Sequence, residues 1–101
     1  MALTKDLYES TVEVLTELGE QTMRAVVWQL SMKGVPMTPE KFDIKLFSFY
    51  LTDLFGDGAN ALLYEIYQNF MSRLSIDSVD DFDHLTVLQI IEKILELEGL
   101  D

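Results

Sequence analysis

The stretch from residue 42 to residue 74 constrains the fold most strongly, because it holds most of the aromatic side chains and is interrupted once by glycines. The interruption is FGDGA at residues 55–59, where we expect Gly56 and Gly58 to adopt positive φ and Asp57 to cap the next helix. Apolar residues recur at three- and four-residue spacing on either side, which is the period of an amphipathic α-helix. The pattern predicts a core helical hairpin over residues 42–74, with these three residues as its structural turn.

The two helices of the hairpin each carry a broad apolar face. The first is predicted over residues 44–55 with Asp43 as its N-cap, and the second begins at Gly58 or Ala59 and ends at Leu74. The buried face predicted for the first consists of Phe47, Tyr50, Leu51, Leu54 and Phe55, widened by Phe42, Leu46 and Phe49. The buried face predicted for the second consists of Leu62, Leu63, Ile66, Phe70 and Leu74.

Two further helices precede the hairpin and should be antiparallel neighbours. The first is predicted from Thr4 or Lys5 to Leu18, followed by Gly19, where a helix end favours a left-handed residue. The second is predicted over residues 20–33, and a proline-containing connector follows it. Their apolar stripes are Leu7, Thr11, Val14, Leu15 and Leu18 in the first and Met23, Val26, Val27 and Leu30 in the second.

The last segment predicts an acidic C-terminal helix over residues 78–98, with Ser78 as its cap. Between residues 76 and 101 there are eight acidic side chains against the single Lys93. The apolar positions of this helix cover more than one face: Phe82, Leu85, Val87, Leu88, Ile90, Ile91, Ile94, Leu95 and Leu97. The fold class expected for the chain is therefore all-α, a compact antiparallel bundle of four main helices plus a C-terminal fifth helix.

Composition limits the classes of function. The 101 residues fit a single helical domain, residues 1–101. Seven basic against eighteen acidic residues give a net charge of −11, which repels phosphate backbones and argues against nucleic acid as a partner. The apolar runs are too short to span a membrane, and the absence of cysteine excludes disulfides and thiolate metal sites. We expect a cytoplasmic protein.

No group of residues has the arrangement of a catalytic, cofactor or metal site. His84 lies in an acid-rich run, but the spacing lacks the glycine and terminal glutamate of a calcium-binding loop, so an acidic first helical turn is the simpler interpretation. Gly56 and Gly58 lack the lysine and hydroxyl residue of a phosphate-binding loop. The serines lack a neighbouring base. We expect no enzyme activity, no cofactor and no bound metal.

Three features of the sequence bear on a surface for a protein partner. Trp28 lies off the apolar stripe of its helix, where it either completes the core from the side or anchors a partner. The last helix is apolar around more than half its circumference, so either the chain's own core or another chain must cover it. The methionines at positions 23, 32, 37 and 71 either fill gaps in the core or line an adaptable groove. The predicted partner-interface residues are Trp28, Phe82, Leu85, Leu88, Ile91 and Leu95.

The central hairpin also carries a family resemblance. Phe42, the FGDGA turn, and the apolar positions that follow it up to Leu74 resemble the small helical output domains at the ends of thaumarchaeal signal-transduction proteins. The likeness covers residues 7–76 and implies a domain appended to sensor or kinase modules. A weaker likeness, carried by residues 15–30, is to pyrin and other death-fold domains, although this chain lacks the basic surface that those modules often present.

These observations favour a non-enzymatic regulatory or protein-interaction module of the archaeal signalling type. It would act through an apolar helix face with an acidic rim, with another protein or a second copy of itself as partner. The alternative is a small-ligand or divalent-metal-binding protein that uses a pocket between the hairpin aromatics. The sequence does not identify the partner.

Overall fold

The computed structural model describes residues 3–75 and 84–99 of the chain. Within these residues it contains five α-helices and no strand: α1 (Leu3–Thr16), α2 (Glu20–Met32), α3 (Ile44–Phe55), α4 (Gly58–Arg73) and α5 (His84–Gly99). The predicted all-α class is confirmed. The predicted start of the last helix, between Ser78 and Val79, lies outside the described residues.

Residues 17–19 connect α1 to α2, which is two residues more than the sequence predicts. Helix α1 ends at Thr16, before Leu18, because the last N–H groups bond three residues back: Leu18 N–H to Leu15 C=O at 3.1 Å and Gly19 N–H to Thr16 C=O at 3.0 Å. Gly19 has a φ of 108°, a value that favours glycine. The chain then turns directly into α2.

The start of α3 agrees with the prediction. The Asp43 carboxylate accepts hydrogen bonds from the backbone N–H groups of Lys45 at 3.0 Å and Leu46 at 3.2 Å. These bonds satisfy two of the donors that the first turn of a helix leaves unpaired. A side-chain N-cap therefore fixes where α3 begins, and its predicted bounds are confirmed.

The hairpin turn differs from the prediction in two of its three residues. Gly56 has a positive φ of 58°, but Gly58 is the first residue of α4. Asp57 precedes it with a φ of −64° and a ψ of −22° and makes no side-chain capping hydrogen bond. A capping side chain usually requires an extended backbone at that position, and Asp57 is already helical. A single left-handed glycine is sufficient to reverse the chain.

Helix α4 lies at the centre of the bundle and contacts α1, α3 and α5. Its predicted face is buried at four positions, and Leu74, just beyond the helix, is partly buried. Ala59, Tyr67 and Met71 are buried as well, so α4 is covered around more of its circumference than one stripe. The core residues of the other helices include Leu7, Val14, Leu15, Leu30, Phe47, Leu51, Val87 and Ile91.

Helix α3 is buried on one face only, which corrects part of its predicted apolar surface. Phe47 and Leu51 are fully buried, whereas Phe49 between them is 63% exposed and Leu54 and Phe55 are exposed as well. Residues two positions apart on an α-helix point to different sides, so Phe49 cannot share the face of Phe47. The small Ser48 is buried instead.

A cluster of charged side chains on the surface connects α4 to α1 through ion pairs. The Arg73 guanidinium bonds to the Glu13 carboxylate at 2.5 Å and the Glu9 carboxylate at 3.2 Å, while its Nε donates to Asn69 Oδ1 at 2.9 Å. The two glutamates lie one turn apart on α1. Arg73 therefore bridges the two helices that have the most extensive mutual contact.

No helix in the described part of the chain is long and apolar enough to cross a membrane.

Candidate functional site

Two large apolar side chains of α2 project from the bundle. Trp28 is 64% exposed and Met32 is 69% exposed. They lie one helical turn apart, so they form neighbouring projections on the same side. Of the two interpretations of Trp28, completion of the core is wrong, because the side chain turns away from it.

Trp28 and Met32 belong to a longer surface that we call the α2 outer face. Its six residues are all exposed and uncharged, and they occupy roughly a third of the helix circumference at 3.6 residues per turn. They are Gln21, Thr22, Ala25, Trp28, Gln29 and Met32. The charged residues of α2, Glu20 and Arg24, lie beside this face and pair with each other at 2.5 Å.

The packing of α2 against its neighbours explains why the α2 outer face is exposed to solvent. Val26 and Leu30 are buried, and Met23 and Val27 pack partly buried against the core, as the sequence predicts. Helix α2 contacts α1 and α3, and these neighbours cover only the stripe that faces inward. The opposite side of an α-helix remains in solvent unless a further element packs on it.

A shallow groove runs along one edge of the α2 outer face, between α2 and the end of α3. It has a volume of about 350 Å³. The residues that line this α2–α3 groove are Gln21, Thr22, Ala25, Val26, Gln29, Leu54 and Phe55. Four of them also belong to the α2 outer face, so groove and face form one continuous surface.

The last turn of α3 supplies the second wall of the groove. Leu54 and Phe55 lie directly before Gly56, where the chain reverses into α4, so no further turn of α3 covers them. The exposed Asp53 directly precedes these two residues, and the exposed Asp57 follows them after Gly56. The apolar end of α3 is therefore bordered by two carboxylates.

Among the α5 side chains that the structure describes, residues 87–96, no apolar one is exposed. Ile91 is 0% exposed and packs in the chain's own core, so its predicted role as a contact residue does not fit its position. Leu88 and Leu95 are half-buried against the same core. The side chain of Leu85 and the whole of Phe82 lie outside what the structure describes.

Three of the four methionines fill the core, and none of the four lines the α2–α3 groove. Met71 is buried, and Met23 and Met37 pack partly buried against the core. Met32 alone of these four projects from the bundle. Its exposure identifies it as part of the candidate surface, whereas the sequence does not distinguish it from the other three.

Neither of the two grooves described lies between the hairpin aromatics, so the ligand pocket predicted there stays a prediction. Phe47, Tyr67 and Phe70 are fully buried in the core. A second groove of about 340 Å³ lies at the start of α3, where Lys45 pairs with Glu92 of α5 at 3.1 Å.

The described residues contain no cluster of histidine or carboxylate side chains that could hold a metal ion. The side chain of His84 lies outside the description, so the acid-rich run around it stays a sequence-level observation. Ser10 is buried, and its hydroxyl donates to the Asp6 carbonyl at 2.9 Å. Thr11 bonds to the Leu7 carbonyl in the same way. These hydroxyls are engaged within their own helix.

Comparison with protein-family models, with curated proteins and with solved structures found no match for this chain. A functional assignment therefore depends on the residues and geometry described above.

Proposed function

We propose that this chain is a non-enzymatic protein-interaction module whose contact surface is the α2 outer face together with the α2–α3 groove. The observation that carries the proposal is the exposure of Trp28 and Met32, one turn apart, on a helix face without charge. Removing a large apolar side chain from water is favourable, and an exposed side chain does not gain this free energy. A partner that covers both would recover it.

The residue types of this surface suit protein recognition. Tryptophan is enriched among the residues that contribute most to binding free energy, and methionine adapts its shape to different partner surfaces. Gln21 and Gln29 supply hydrogen-bonding groups beside the apolar side chains without the desolvation cost of full charges. The groove next to them provides a concave site for a partner's apolar side chain.

The regulatory role, the archaeal signalling setting and the cytoplasmic location are further parts of this proposal. The first two derive from the resemblance of residues 7–76 to helical output domains, and the third derives from composition. A contact surface on α2 differs from the α5 surface expected from the sequence. The side of α5 that bears Val87 and Ile91 already packs on the core, so α2 is the better candidate.

We propose a small ligand as the second candidate, because the α2–α3 groove has a volume of about 350 Å³, near the lower end of the range for ligand pockets. A ligand that binds only the folded chain raises its melting temperature. A panel of metabolites and divalent ions should therefore shift the melting curve if this candidate is correct. An unchanged curve across the panel would remove it.

A photo-crosslinking experiment tests the interaction surface directly. A photoreactive amino acid in place of Met32 should form adducts with a specific protein in the native cells, identified by mass spectrometry. The matched control places the same amino acid at Phe49, which is also largely exposed but belongs to neither the α2 outer face nor the groove. Identical adducts at both positions, or none at position 32, would contradict the proposal.

A further inference from the structure

We infer that the partner segment is a cationic amphipathic helix that lays its apolar side chains along the α2 outer face and into the α2–α3 groove. This inference rests on the proposed function and specifies the chemistry of the partner. Three observations carry it: the charge of the chain, the position of the acidic residues beside the groove, and the shape of the surface.

The charge of the chain favours a positively charged partner. The net charge of −11 over 101 residues produces a negative field that attracts cations and accelerates their association. The contact face itself is uncharged, so a partner can bury apolar groups there without burying a carboxylate. Its basic residues would then lie over the surrounding acidic surface, where they remain partly hydrated.

Two acidic residues flank the α3 wall of the groove along the chain. Asp53 directly precedes Leu54, Asp57 follows Phe55 by two residues, and both aspartates are exposed. The α2 side carries less free negative charge, because Glu20 is already paired with Arg24 at 2.5 Å and the exposed Lys33 directly follows Met32. We therefore place the basic residues of the partner toward the end of α3.

The same charge argues against a second copy of this chain as the occupant. Two identical chains would each bring the same negative field to the interface, which opposes association. In a two-fold symmetric contact the same patch meets itself, so the carboxylates that border the face would lie near their own copies. A cationic segment meets no such repulsion.

The shape of the surface favours a helix over an extended strand. From Gln21 to Met32 the face spans three helical turns, roughly 17 Å, which matches a partner helix of about 12 residues. All the regular elements described are helices, whose backbone groups bond internally, so the surface offers no strand edge for an extended peptide to pair with. A face bordered by a groove between two helices suits the helix-in-groove mode.

Two synthetic peptides provide the test. The first is an 18-residue helix with leucine at positions i, i+3, i+4 and i+7 and lysine elsewhere, and the second replaces every lysine with glutamate. Neither contains tryptophan, so Trp28, the only tryptophan of the chain, reports binding through its fluorescence. We expect the lysine peptide to shift Trp28 emission to shorter wavelength, with a Kd that rises with salt concentration. The glutamate peptide should produce no shift.

Variants that keep the net charge separate docking from general electrostatic attraction. Calorimetry should show Trp28→Ala binding the lysine peptide at least about 30-fold more weakly, as expected for a central aromatic contact. Phe49→Ala, which removes an equally exposed ring elsewhere, should bind like the unaltered chain. Circular dichroism melting of both variants checks that they remain folded.

A pair of charge variants tests the placement of the basic residues. Asp57→Asn should weaken binding of the lysine peptide by about two- to fivefold, the size of a rim charge interaction. Glu65→Gln changes the net charge equally but lies about two turns into α4, whereas Asp57 is two residues from Phe55 of the groove lining. Glu65→Gln should therefore leave the Kd within error. Asp57 makes no capping hydrogen bond, so its replacement does not remove a helix cap.

Three results would overturn the inference. Equal binding of both peptides through Trp28 would show a contact surface without preference for cations, and the proposed function would stand. Binding that survives Trp28→Ala would show attraction to the acidic chain as a whole. A shift of Trp28 emission with protein concentration alone would identify a second copy as the occupant. The crosslinking experiment at Met32 decides the proposed function separately.

Discussion

Helices α2 and α5 both carry more apolar side chains than one buried stripe requires, yet the burial of these side chains differs between the two helices. On α5, Val87 and Ile91 are fully buried, and the neighbouring apolar residues pack partly buried against the same core. On α2, the two largest apolar residues outside the stripe, Trp28 and Met32, project into solvent. The described apolar residues of α5 therefore pack within the chain, whereas those two residues of α2 remain exposed.

The difference shows that apolar content alone does not identify a contact surface. Helix α5 contacts both α4 and α1, which together offer a wide core surface to cover. Helix α2 contacts α1 and α3, which cover one narrow stripe. The more informative property is the absence of charge from an exposed face, since surface helices usually carry charged residues on their solvent side.

The largest expected effect distinguishes the two helices by stability. Ile91→Ala should lower the free energy of unfolding by about 2–5 kcal/mol, because it leaves a cavity in the core. Met32→Ala on α2 should change it by no more than about 0.5 kcal/mol, because the side chain is mostly in solvent. Urea denaturation of both variants measures the difference. Similar losses in the two variants would show that the exposed face of α2 is covered in solution.

A second pair of variants compares ion pairs on the two sides of the bundle. Arg73→Met should cost about 1 kcal/mol, because it removes contacts to two glutamates of another helix and leaves those carboxylates facing each other. Arg24→Met should cost about 0.3–0.5 kcal/mol, because Arg24 pairs only within α2. Urea denaturation at low and high salt measures both losses, and the gap between them should narrow at high salt. A larger loss for Arg24→Met would contradict this ranking.

The smallest effect concerns how α5 is held in place. Glu92→Gln removes the charge that pairs with Lys45 of α3, and because Lys45 is mostly exposed we expect a loss below about 0.5 kcal/mol. Thermal melting in low salt is the appropriate measurement. A loss as large as that of Ile91→Ala would show that the ion pair, and not the apolar contact, holds α5 on the core.

The sequence predicts the helical elements well where local signals agree. The bounds of α3 follow from the Asp43 cap and from the glycine at the end, and both are confirmed. The turn between α3 and α4 is less predictable, because Gly56 and Gly58 look equivalent in the sequence while only Gly56 needs a positive φ. Which of two glycines takes the strained conformation depends on how the two helices pack.

The candidate surface is predictable only in part. The position of Trp28 off the apolar stripe indicates an unusual location, but Met32, Leu54 and Phe55 stand out only after the packing of α2 against α3 is known. Phe49 and Ser48 show the same limit: the larger residue is exposed and the smaller is buried. Which apolar residues the core covers is a property of the whole bundle and not of one helix.

The solvent accessibility of Trp28 in the free protein tests the central claim most directly. Acrylamide quenching of the single tryptophan should approach that of a fully exposed indole and should stay constant when the protein is diluted. This result would place the α2 outer face in solvent and leave it available to a partner. Quenching that is weak at high protein concentration, or that increases on dilution, would show that the face is already covered and would contradict the account.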